Sequence, residues 1–175
     1  MALIRDGAFV PDAWVRVDAH VPLPESGDLI VPLARIGEVA GAWPNDRRVG
    51  VHVECAVAQH ALRPHLLHLA LISIGFPSFV DGRGFSVARS LRLDGFSGTL
   101  RAFGSLIADQ LAHGRSCGFD EIEIPDALGA RQLEAQWRTA GSATTVAYQR
   151  GYGGSPSILE RRHASLAQQH PGASA

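Results

Sequence analysis

The chain has 175 residues, 46% of them hydrophobic, with 16 basic and 17 acidic residues and a formal charge of -1. That supplies apolar material for one sizeable core, and the balanced charge excludes the basic field that holds nucleic acid or an acidic membrane face. Every basic residue counted there is arginine, which also excludes chemistry that needs a lysine amine, such as Schiff-base catalysis or a P-loop.

In chain order, "LIRDGAFV" predicts a hairpin about Asp6-Gly7, and the alternating "AWVRVD" a further strand of the same small sheet, over residues 2–18. "HVPLPESGD" is proline and glycine punctuation. Apolar strands then fall at 29–33, 49–54, 69–76, 99–103, 121–124 and 144–148. Helical patterns lie between and after them near 34–42, 57–67, 84–94, 105–117 and 126–140. Such alternation indicates right-handed crossovers in a parallel sheet. The expected fold is α/β: a mostly parallel sheet of five or six strands with alternating helices, as an incomplete TIM-like barrel or an open sheet, plus the small N-terminal hairpin.

Residues 1–150 read as one α/β domain, and 151–175, rich in glycine and serine around "ILERRHASLAQQ", as a flexible tail. The apolar run "LLHLALISIGF" stops at Pro77, far short of the roughly 20 residues of a membrane span. Two cysteines far apart, Cys55 and Cys117, and an N-terminus without a signal pattern point to a reduced, cytoplasmic protein.

The stretch "FPSFVDGRGFSVARSLR" sits where a parallel sheet presents ligands, beyond a strand end. Gly82 and Gly84 are expected to turn the chain sharply, and Arg83 to offer a permanently charged fork beside a helix N-terminus. Ser86 and Arg89 follow on that helix, and Arg101 stands out inside "TLRAFG", where it needs a carboxylate or a ligand. Two readings stay open: an oxyanion site built from these residues, or an ion-pair network in which Asp81 takes one of the arginines. The dinucleotide fingerprint fails, because Val87 occupies the position of its third glycine. Gln110, on an apolar arc of its helix, is expected to hold Arg101 or a loop carbonyl, or to be a plain structural amide. Cys117 reads as a packed structural thiol. His60, His65 and His68 share a stretch without carboxylates and interrupted by Pro64, so they read as surface and no metal site is expected.

The run from Phe76 through "GFSGTLRAFGSLIADQLAHGRSCGFD" resembles the signature of the bacterial domain of unknown function 934 family, with "LIVPLARI" and "VAYQ" resembling its flanking blocks. The family pattern falls on Asp81, Gly82, Arg83, Ser86, Arg89, Arg92, Arg101, Asp109, Gln110, Arg115 and Cys117. One departure is Thr99, where the family usually carries an acid. Members carry a label tying them, as oxidoreductases, to sulfite reduction. The resemblance thus implies an accessory role in assimilatory sulfite or sulfate reduction, with a small oxyanion and the sulfite reductase haemoprotein as partners, and self-association as a further expectation. The alternatives are an enzyme acting on a phosphorylated or sulfated metabolite, with Asp81 as acid/base and the arginines as clamp, or a non-catalytic structural partner. No flavin, nicotinamide, haem or iron–sulfur ligand pattern is present, so the cofactor stays unknown.

Overall fold

The structure, a computed structural model, describes residues 1–40, 46–57 and 59–142. It opens with strands β1 (Ala2–Arg5), β2 (Ala8–Val10), β3 (Trp14–Arg16) and β4 (Asp28–Pro32), then helix α1 (Ile36–Ala40). There follow β5 (Val49–Glu54), β6 (Leu71–Phe76), α2 (Arg83–Leu93), β7 (Thr99–Gly104) and α3 (Leu111–Ser116), and finally β8 (Glu121–Ile124), α4 (Asp126–Gly129) and α5 (Glu134–Ser142). The expected strand at 144–148 and the tail at 151–175 lie outside the described residues.

Among the described residues the sheet has eight strands in the order β2-β1-β8-β7-β6-β5-β4-β3. The run from β3 to β8 is parallel throughout, and β1 and β2 are antiparallel. The sheet is therefore larger than the five or six strands expected. The hairpin forms at Asp6-Gly7, both in the left-handed region (φ 53° and 80°), as a two-residue turn of this composition requires. "AWVRVD" does not join it: β3 pairs in parallel with β4, at the opposite edge of the sheet from β2. Local alternation specifies a strand but not its partner.

That placement forces the sheet to curl. In a flat sheet, seven spacings of about 4.8 Å would put the outer strands about 34 Å apart. The four steps from Val10 to Trp14 span at most about 14 Å of extended chain. Only a curled sheet, a half-barrel whose edge strands approach each other, satisfies both.

The two faces of the curl differ sharply. Outward, Leu29, Val31, Val51, Ile72, Ile74, Phe76, Leu100, Ala102, Ile122 and Ile124 are buried in one apolar cluster with Phe85, Val87, Ala88 and Leu91 of α2. Crossovers of one hand place the helices on that face. Between β5 and β6 the expected helix is replaced by 3-10 turns at Gln59–Ala61 and Arg63–His65, because Pro64 lacks an amide and restricts the residue before it. The helix expected over 105–117 starts only with a 3-10 turn at Ala108–Gln110, after an extended Ile107 (φ -115°, ψ 157°). The pattern at 126–140 divides into α4 and α5. No described helix is long and apolar enough to cross a membrane.

Gly104 closes β7 at φ 122°, and a methyl group there would overlap the Phe76 carbonyl. Gly104→Ala is expected to destabilise by about 2–3 kcal/mol. Gly37→Ala, in open space on α1, should stabilise by about 0.5–1 kcal/mol. Urea unfolding of the two variants measures both; equal midpoints would contradict the packing described.

Candidate functional site

Strand alternation turns a second set of side chains into the curl, and the central row of this set is polar. Register aligns His52 of β5 with Ser73 of β6, Arg101 of β7, Glu121 of β8 and Arg5 of β1. The next inward row toward the strand ends is Glu54, Gly75, Phe103 and Glu123.

Arg101 is the centre of this interior. Its side chain is 0% exposed, and it donates from Nε to Glu121 Oε1 at 2.7 Å, from Nη1 to Asp12 and Glu123 at 2.7 and 2.9 Å, and from Nη2 to Asp12 at 3.0 Å. Arg16 Nη2 donates to Glu123 at 2.6 Å, and Arg5 Nη2 to Glu121 at 2.7 Å. Three guanidinium groups thus meet three carboxylates. Burial pushes the Asp12 carboxyl up, but the hydrogen bonds from Arg101 and from the Trp14 N–H, with the charges of Arg101 and Arg16, together outweigh it and hold Asp12 below the usual carboxylate range. Glu121, Glu123, Asp12, Arg16 and Arg5 were not singled out in the sequence. The available signal was "EIEI", whose alternating acids share one face with an arginine on the neighbouring strand.

The glycine–arginine loop lies beyond the end of β6. Asp81 accepts a bidentate contact from Arg83, Oδ1 from Nε at 2.9 Å and Oδ2 from Nη2 at 2.6 Å. Asp81 also accepts from the Arg83 backbone N–H at 3.2 Å. These contacts hold the Asp81 carboxyl far below the usual range. Cys55, just past β5, donates its thiol to Asp81 Oδ2 at 3.3 Å, and burial together with this bond pushes its pKa up. The arginine side chain itself is 63% exposed.

The two glycines act differently from the expectation. Neither has a positive φ among the described residues. Gly84 is needed because a methyl group would overlap the Phe76 ring, whereas Gly82 faces open space. The structure does not bring Arg101 to this loop; its partners lie inside the curl. Ser86 and Arg89 are exposed on α2. Gln110 holds a loop carbonyl: its Nε2 donates to Phe79 O at 2.8 Å, tying the turn before α3 to the loop before α2. Asp109 is exposed beside it. Cys117 is buried, and burial raises its thiol pKa. Arg92 and Arg115 lie at the opposite end of the strands, lining a cleft of about 600 Å³ with Arg5. Arg92 braces the carbonyls of Phe96, Gly98 and Gly118 there.

His52, also missed in the sequence because "VGVHVE" reads simply as a strand, stands at the carboxyl-terminal mouth of the curl. Nδ1 lies 3.1 Å from Ser73 Oγ, and the ring meets Phe103 edge-on at 5.1 Å. Burial, and then the charge of Arg16, lower its pKa below the ordinary 6.5.

These features define the class: a curled, mostly parallel α/β sheet with a charge-paired interior and polar groups at its carboxyl-terminal mouth. Residues 50–158 match the family model described as a bacterial protein of unknown function (DUF934). The match covers more than half of the chain, which belongs to that family. No curated protein matches the chain.

A His with a depressed folded-state pKa favours folding while it stays neutral. Its contribution is present above the unfolded value of 6.5 and is lost as the pH falls through the folded value. The His52 ring signals are therefore expected to titrate below 6.5, and Arg16→Met to move the midpoint upward. An unperturbed midpoint in both proteins would contradict the described environment.

Proposed function

We propose that the protein is an accessory component of assimilatory sulfite or sulfate reduction that meets a small oxyanion through the Arg83 loop. The observation that carries the reading is the exposed guanidinium of Arg83, fixed in orientation by Asp81 beside the N-terminus of an 11-residue helix. The helix dipole favours an anion at such a place, and the Nη1 side of the guanidinium, which Asp81 does not engage, suits an oxyanion. Family resemblance supports the pathway. Asp81 orients the arginine on this reading and does not shuttle protons, because its carboxyl stays ionised at neutral pH. Arg101 takes no part in the contact, since its donors are engaged by three carboxylates. Sulfite reductase remains the proposed protein partner.

Arg83→Ala is expected to melt like the wild type, because the side chain is largely exposed. Loss of a charge-assisted contact should weaken sulfite or sulfate binding several-fold. In a deletion strain the variant should fail to restore growth on sulfate, with growth on cysteine normal. Growth of the deletion strain on sulfate unaided would end the sulfite reading. Full rescue by the variant would end the role of Arg83.

A further inference from the structure

Beside the ends of β4 and β5 the mouth of the curl opens into a cleft of about 370 Å³, a volume typical of small-molecule sites. Its walls are apolar, formed by Pro32, Leu33, Val53 and Val57, and its two polar side chains are His52 and Glu54.

The protonation of His52 follows from its neighbours. Among the described residues, Ser73 Oγ has two hydrogen-bonding partners: Arg16 Nη2 at 3.2 Å and His52 Nδ1 at 3.1 Å. A guanidinium can only donate, so the hydroxyl oxygen accepts from Arg16; Ser73 is fully buried, and its own hydrogen meets an acceptor there only by donating to Nδ1. The neutral ring therefore carries its hydrogen on Nε2. That atom lies 3.7 Å from Glu54 Oε1, too far for a hydrogen bond. A donor and an acceptor stand side by side, each able to serve a third group. Gly75 makes the room for them. A methyl group there would lie 2.8 Å from Glu54 Oε2 and 3.5 Å from His52 Cε1.

We propose that this cleft binds a small neutral ligand of the carboxamide type, whose carbonyl oxygen accepts from His52 Nε2–H while its adjacent N–H donates to Glu54. The apolar walls take the body of the ligand. The charge of Glu54 disfavours a carboxylate in the same place, and a ligand without the N–H forgoes the hydrogen bond to this exposed carboxylate. The site is distinct from the Arg83 loop and stands or falls independently of it.

The test is a titration of the full-length, isotope-labelled protein with benzamide, read by the backbone signals of Leu33, His52 and Val53. Benzoate and N,N-dimethylbenzamide serve as comparisons. Saturable shifts at the cleft are expected from benzamide at millimolar concentration, with the two comparison compounds weaker by about threefold or more. The nearest atom to the Gly75→Ala methyl group is at the movable end of Glu54, with His52 Cε1 in ordinary contact. The variant should keep the wild-type melting temperature and weaken benzamide by at least about tenfold, as should His52→Phe. The absence of saturable shifts at the cleft, equal affinity for all three compounds, or unchanged binding in both variants would overturn the proposal.

Discussion

The structure depends on one buried cation. A guanidinium taken wholly out of water is tolerable only when its charge and its donors are met, because an unpaired buried ion carries a penalty of several kcal/mol. Arg101 is met by Asp12, Glu121 and Glu123. Those acids would themselves repel one another without Arg16 and Arg5 on their outer sides. Asp12 and Arg16 come from the segment that passes from one edge of the sheet to the other. The pairing that neutralises the interior is therefore also the pairing that holds the curl closed.

This arrangement divides the molecule by height. Midway along the strands the interior is filled by paired charge, and the apolar core lies outside, between the sheet and the helices. The Asp81–Arg83 pair and the His52–Glu54 pair both sit at the carboxyl ends of the parallel strands, where an α/β sheet customarily presents ligands. Cys55 connects the two, following directly on Glu54 and donating to Asp81.

Much of the fold was legible in the sequence, and the reason is periodicity. The strands at 49–54 and 121–124 fall where the apolar pattern puts them, and α2 lies within one residue of its expected limits. What failed was non-local. Nothing in "AWVRVD" says that β3 crosses to the far edge, because that depends on the length of the connection and on Asp12 finding Arg101. For the site, "DGRG" was legible as an ion-pairing loop, and Arg101 as a residue in need of a carboxylate. That Arg83 and Arg101 serve different places was not legible, because one follows a strand and the other lies within one. His52 escaped notice for the same reason as the acids of "EIEI": a polar residue on an alternating strand reads as solvent-facing until the sheet is known to curl.

A double-mutant cycle of Arg101→Met and Glu121→Met, read by urea unfolding, bears most directly on the central role of the buried network. Arg101→Met alone should destabilise by about 3–5 kcal/mol, since it leaves buried carboxylates uncompensated. Glu121→Met in the same chain should recover part of that loss, giving a favourable coupling of at least about 1 kcal/mol. Strictly additive losses, or an Arg101→Met protein as stable as the wild type, would contradict a fold held closed by this cation.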